Sequence, residues 1–159
     1  MGEVKSEQFS KDAQEFLRLL AKYEVRYLLI GGIAVIYHGY LRLTGDVDVL
    51  YDCSRDNAKK LWGALVEFWG GSVPAVAQPA ELEDPNIVVQ FGRPPNRIDL
   101  IAGLRTVPFD EAWTRRVQEH ITVAGVLVPV SVLGLADLRR SKLEAGRKKD
   151  LDDLDHLPE

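Results

Sequence analysis

The sequence predicts an α/β protein of the α+β type, a central mixed β-sheet flanked by helices, and three observations predict it. Short apolar runs at residues 27–30, 45–50 and 96–101 have the length and patterning of strands. Amphipathic helical periodicity marks residues 10–22 and 55–69. The segment Gly92-Arg93-Pro94-Pro95-Asn96 is short and rich in turn residues, so it joins strands at 87–91 and 97–101 as a hairpin, and that antiparallel pair makes the sheet mixed.

The elements follow in order. In residues 10–22, Phe9, Ala13, Phe16, Leu17 and Leu20 share one face, and Ser10 is placed to cap the helix. Tyr27-Leu28-Leu29-Ile30 is a buried strand that ends at Gly31-Gly32, where the missing Cβ lets the chain turn sharply and pass close to a ligand. Residues 33–40 then read as a short helix, with free N–H groups facing an anion above the glycines. Residues 55–69 bury Ala58, Leu61, Trp62, Leu65 and Phe68 or Trp69, and Gly70-Gly71 stops them. Residues 72–85, with Pro74, Pro79 and Pro85, read as a loop that admits a short strand at 73–77. A short helix at 109–116, two short strands within 118–130 that turn near Gly125, and closing helices at 133–145 and 148–157 divided by Gly146 complete the chain. There is no internal repeat or low-complexity linker, so residues 1–159 are expected to form a single domain.

The chemistry is concentrated around the glycines. After a loop containing Arg42 and Thr44, the stretch Gly45-Asp46-Val47-Asp48-Val49-Leu50 alternates, which sends the carboxylates of Asp46 and Asp48 to one face. Like charges so placed repel unless a cation joins them. If the strand holding Asp99, between Ile98 and Leu100, lies beside this one, three carboxylates converge near the glycine turn. An all-oxygen cluster of that kind suits a hard cation, above all Mg²⁺, whose shell is completed by water and substrate phosphates.

Composition narrows the field. With 159 residues, 46% of them hydrophobic and 28% charged, the chain resembles an ordinary globular protein and not a disordered one. The net charge of −4 argues against a uniformly basic, nucleic-acid-coating surface, yet Arg139, Arg140, Lys142, Arg147, Lys148 and Lys149 crowd into eleven residues just before an acidic stretch. The lone Cys53 excludes an internal disulfide framework and cysteine-based zinc sites. Residues 1–8 are polar, and no apolar run approaches the roughly 20 residues of a membrane span, so no secretory leader and no membrane partner are expected, and the expected location is the cytoplasm.

Gly31-Gly32, thirteen intervening residues, Asp46-Val47-Asp48 and the later Asp99 together resemble the signature of the DNA polymerase β-like nucleotidyltransferase superfamily. Within it, Arg42-Leu43-Thr44-Gly45-Asp46-Val47-Asp48 and Lys142-Leu143-Glu144-Ala145-Gly146-Arg147-Lys148-Lys149-Asp150-Leu151 resemble the small AbiEii-type toxins. The resemblance runs from about Tyr27 to Leu157 and departs in one place: many relatives have Gly-Ser where this chain has Gly31-Gly32, so a hydroxyl for phosphate is missing. It implies a nucleotidyltransferase fold whose sheet carries the acidic triad. It also implies transfer of a nucleoside monophosphate from an NTP, with loss of pyrophosphate, to an acceptor that is an RNA end, a protein or a small molecule. Asp46, Asp48 and Asp99 are then both catalytic residues and ligands of two Mg²⁺ ions, with Mn²⁺ as a substitute, and Asp99 also accepts the proton. Gly31, Gly32, Arg42 and Thr44 are implied nucleotide-binding residues, and an antitoxin is an implied partner. Two other classes stay open: a nucleotide-binding or interaction protein with little turnover, and a metal-dependent phosphodiesterase.

The basic cluster allows two readings. Arg147, Lys148 and Lys149 sit at the start of a helix, where positive charge opposes the macrodipole by a few tenths to about 1 kcal/mol each. A bound phosphate would reverse the sign, so Lys142, Arg147 and Lys148 are candidates to hold the triphosphate or the acceptor. Alternatively they form a solvated hairpin, paired with Asp150, Asp152 and Asp153. The remaining candidates read as structural: His38 as a polar or packing contact, His120 and His156 without partners at metal spacing, Trp62, Trp69 and Trp113 as core, and Cys53 as a small buried filler.

Overall fold

A computed structural model of the chain describes residues 2–42, 44–93 and 96–159. Its helices are α1 (Lys11–Lys22), α2 (Gly31–Tyr37), α3 (Arg55–Phe68), α4 (Phe109–Thr114), α5 (Leu135–Ala145) and α6 (Lys148–His156). Its strands are β1 (Tyr27–Ile30), β2 (Val47–Tyr51), β3 (Val88–Phe91), β4 (Ile98–Ile101), β5 (Val117–Val123) and β6 (Val126–Val132). The strands form one sheet in the order β3-β4-β2-β1-β6-β5. β1 runs antiparallel to β2 and parallel to β6, β2 runs parallel to β4, and the edge strands β3 and β5 pair antiparallel with β4 and β6. The sheet is therefore mixed, as the hairpin at 87–101 predicts.

Consecutive residues of a strand face opposite sides of the sheet, so the complete burial of Leu28, Leu29, Val49 and Leu50 means that both faces of the centre are covered. α1 contributes Phe16, Leu17 and Leu20, and α3 contributes Leu61, Ala64 and Leu65, all withdrawn from water. Each of these leucine and phenylalanine side chains contributes about 1.5–3 kcal/mol by its burial. Phe16 meets Phe68 edge to face at 5.2 Å, which joins α1 to α3. Ser10 Oγ accepts the Ala13 N–H at 3.1 Å, so Ser10 caps α1 and the helix proper begins at Lys11.

Three elements differ from expectation. α2 begins at Gly31 and ends at Tyr37, not at 33 and 40, because the positive φ of Gly31 turns β1 straight into helix without linking residues. Residues 73–77 form no strand: Ala75 has φ 64°, incompatible with extended pairing. The regular piece of that loop is instead a 3₁₀ turn at Pro79–Glu83, anchored where the Tyr51 hydroxyl donates to the Leu82 carbonyl at 2.8 Å. α4 stops at Thr114, short of 116, as the chain enters β5 at Val117. The β5–β6 hairpin turns on Ala124 and Gly125, both at positive φ, the backbone that matches strand twist in a two-residue turn.

Gly146, at φ 62°, ends α5 in the left-handed conformation, and its N–H bonds the Lys142 carbonyl at 3.0 Å. α6 then folds back along α5, and this hairpin stands over one face of the sheet. Among the described residues no helix is long and apolar enough to cross a membrane.

Candidate functional site between the sheet and the closing helices

The strand register builds the site. Ile30 on β1 is opposite Asp48 on β2, Asp48 is opposite Asp99 on β4, and Asp99 is opposite Gln90 on β3. Opposed residues share a face, so these four side chains form a row across the sheet. The row faces a cavity of about 350 Å³, closed on its far side by Lys142, Ala145, Arg147, Lys149 and Asp150 of the α5–α6 hairpin. Asp46, just ahead of β2, lies on the rim.

The glycine pair has a different local role from the one its sequence suggests. A Cβ on Gly31 would overlap the Asp48 carboxylate, and φ 65° would strain any other residue there. A Cβ on Gly32 would overlap the Thr44 side chain. The space the glycines leave open is thus filled from within: Gly31 seats the acidic row, and Gly32 seats the loop that carries Thr44. A serine at Gly32 would meet that same obstruction, which gives the departure from Gly-Ser a packing cause.

Burial raises the pKa of Asp48 to about 6, helped by the negative charges of Asp99 and Asp46 and opposed by Lys149. Asp99, 7% exposed, is held by Arg97: Nε donates to Oδ1 at 2.8 Å and Nη2 to Oδ2 at 3.1 Å. The Arg97 backbone N–H donates to Asp46 Oδ1 at 3.1 Å, and its guanidinium lies 3.5 Å from Asp46 Oδ2. The three carboxylates named from the sequence therefore lie around one space, with a guanidinium bound to two of them. Among the described residues no three His, Cys, Asp or Glu side chains are gathered as a ready-made metal cage. The donor chemistry nevertheless fits a hard divalent cation: the groups are all carboxylates, and Asp46, Asp48 and Asp99 line one cavity.

The basic residues separate into two sets. Lys142 is buried, its Nζ 3.2 Å from Asp150 Oδ1 and 3.0 Å from Asp153 Oδ2. Arg42 Nε pairs with Asp153 Oδ1 at 2.9 Å. These two cations tie the loop before β2 to both closing helices, and their charges are spent on Asp150 and Asp153; against expectation, neither offers a free charge to a phosphate. The hairpin alternative holds in its pairing, Lys142 and Arg147 with Asp150 and Lys142 with Asp153, but not in its solvation, since Lys142 is buried. Lys148 is exposed and does not line the cavity. Arg147 does line it, although its Nε bonds Asp150 Oδ2 at 2.7 Å and its N–H bonds the same oxygen at 3.1 Å. Asp150 in the first turn of α6 thereby offsets the unfavourable cations at that helix start. Lys149 lines the cavity too, and among the described residues no carboxylate lies within 4.0 Å of its ammonium.

Sequence reasoning missed Arg97, Gln90 and Lys149 as site residues. Arg97 was legible: it lies two positions before Asp99, on the same face of an extended segment. The residues read as structural pack as such. His38 is buried with Nε2 2.7 Å from the Leu133 carbonyl, and Trp62, Trp69, Trp113 and Cys53 lie against the core.

A six-stranded mixed sheet flanked by helices, with a glycine turn leading into a carboxylate row, is the build of a nucleotidyltransferase-like α/β domain. The fold matches that of a candidate nucleotidyltransferase from Thermotoga maritima, solved by crystallography, with a TM-score of 0.54 over 96% of this chain and 93% of that one; at 11% identity the likeness is one of fold. The chain belongs to the family described as nucleotidyltransferase of unknown function (DUF6036), which matches residues 8–157. No curated protein matches it by sequence.

Proposed function

We propose that the protein is a metal-dependent nucleotidyltransferase that moves a nucleoside monophosphate from an NTP to an acceptor hydroxyl. The observation that carries this reading is the Asp48–Asp99 pair on neighbouring parallel strands, facing Arg147 and Lys149 across one cavity. Asp46, Asp48 and Asp99 would hold two Mg²⁺ ions, or Mn²⁺ in their place, which would neutralise the phosphates and activate the acceptor hydroxyl. Lys149 and the outer edge of the Arg147 guanidinium grip phosphate oxygens from the opposite wall. Asp99 takes the proton as the acceptor oxygen bonds to the α-phosphorus; the bond to the bridging oxygen breaks, and pyrophosphate leaves. Positioning and charge neutralisation suffice for such a step without a protein nucleophile.

The resemblance of residues 42–48 and 142–151 to AbiEii-type toxins supports a place in a toxin–antitoxin pair, with an RNA end, a protein or a small molecule as acceptor. A second reading, a nucleotide-binding protein with little turnover, draws on the hold of Arg97 on Asp46 and Asp99. The test is label transfer. α-Labelled NTP with Mg²⁺ is incubated with RNA, protein and metabolite fractions, for the native chain and for Asp48→Asn. Label moved by the native chain alone supports transfer, and NTP bound without transfer to any fraction supports the second reading.

A further inference from the structure

We propose that Arg97 is a built-in counter-ion of the carboxylate row, one that a divalent cation must displace and that then turns to the nucleotide phosphates. The inference rests on the metal-binding reading of Asp46, Asp48 and Asp99 and adds a competitor for the same oxygens. Arg97 spends its Nε–H and an Nη2–H on the two oxygens of Asp99, at 2.8 and 3.1 Å, and stands 3.5 Å from Asp46. Charge-assisted pairs of this two-pronged form are among the strongest hydrogen bonds a protein makes, and here one partner is nearly sealed from water. Oxygen lone pairs committed to a guanidinium are not free for a cation.

Position explains why an arginine stands there. Arg97 immediately precedes β4 and shares a face with Asp99, so its side chain lies along the row without crossing the cavity. Without it, three carboxylates would share a half-buried space whose opposite wall holds Lys149, a lysine with no carboxylate partner among the described residues. The Arg97 side chain is 29% exposed. Rotation about its own side-chain bonds carries it from Asp99 into the cavity, where Arg147 and Lys149 already present positive charge. Metal entry and nucleotide entry are thereby coupled: the ion releases Arg97, and the phosphates receive it. Bare metal should bind weakly, and metal with nucleotide should bind well.

The test reads metal binding, with and without a non-hydrolysable NTP, and needs no acceptor. Titration calorimetry compares the native chain with Arg97→Gln, each first shown to be folded by circular dichroism. The expected result is Mn²⁺ binding at least tenfold tighter in the variant, with a non-hydrolysable NTP raising Mn²⁺ affinity more in the native chain than in the variant. Equal or weaker Mn²⁺ binding by Arg97→Gln overturns the counter-ion role while leaving the metal site intact. Absence of Mn²⁺ binding in both chains overturns the counter-ion role and the metal site together. Should the variant fail to fold, the native chain decides: Mg²⁺ titration must shift or broaden the Arg97 Nε–H resonance, and a resonance unmoved at saturating Mg²⁺ overturns the proposal.

Discussion

Asp48 and Asp99 stand directly opposite each other on neighbouring parallel strands, and Gly31 leaves open the volume that the Asp48 carboxylate fills. Two carboxylates so placed are unfavourable in a protein selected for stability alone, because the fold must hold like charges together away from bulk water. That cost can be measured, as can the function it serves.

The first prediction concerns pH. Asp48 titrates near 6 in the folded chain, against 3.8 for an unperturbed group. Between about pH 4 and 6 the folded state therefore holds a proton that the unfolded chain has released, and the stability of the metal-free protein falls as pH rises through that window. Asp48→Asn removes the charge and keeps the shape. It should stabilise the metal-free protein at pH 7.5 by on the order of 1–3 kcal/mol and have little effect near pH 4. Urea denaturation at the two pH values checks this. Destabilisation at pH 7.5 would contradict the assigned strain.

Gly31→Ala places a methyl group in the Asp48 carboxylate and a side chain at φ 65°. The expected loss is about 1–3 kcal/mol of stability, since an alanine at positive φ is strained even before the overlap is relieved. Mn²⁺ affinity should fall with it, because Asp48 is pushed off the row. Gly39→Ala is the control: it also has positive φ, but nothing lies within 4 Å of the added Cβ, so metal binding should be unchanged.

How much of this was legible in the sequence depends on the range of the interaction. β1, β2, α1 and α3 are local patterns: an apolar run closed by glycine, an alternating run, and two amphipathic stripes with serine caps. Each folds as its own residues dictate. The proline-rich segment after α3 is the loop its residues suggest, and only the short strand admitted at 73–77 is absent, because a positive φ at Ala75 cannot be seen in a residue type that ordinarily avoids it. The acidic row was visible as Asp-x-Asp plus a distant Asp, since strand alternation fixes faces. The seating of Asp48 by Gly31 and the burial of Lys142 were not, because both depend on which segments meet across the chain. The same charged types line the cavity at Lys149 and lie away from it at Lys148, and only the phase of α6 separates them.

That phase gives a third prediction. Lys149→Ala removes a lysine that lines the cavity and has no carboxylate partner among the described residues, and it should weaken NTP binding about tenfold or more, the ordinary worth of a charge-assisted contact. Lys148→Ala should leave affinity within about twofold. Fluorescent-nucleotide titration distinguishes them, and equal effects would place phosphate elsewhere.

Lys142→Met leaves Asp150 and Asp153 without their shared buried partner. Arg147 still holds Asp150 and Arg42 still holds Asp153, so the expected loss is about 1–3 kcal/mol, read as a drop in thermal midpoint, the cost of removing one buried charge-assisted partner. A change within about 0.5 kcal/mol would mean that the network is ornamental.

The central claim, a site for a metal-bound triphosphate on the acidic row, is tested most directly by calorimetric binding of each NTP with Mg²⁺ to the native chain and to Asp46→Asn/Asp48→Asn. The account predicts Mg²⁺-dependent binding of at least one NTP by the native chain and none by the double variant, with the variant folded and at least as stable at neutral pH. NTP binding that survives in the double variant, or that ignores Mg²⁺, would contradict it.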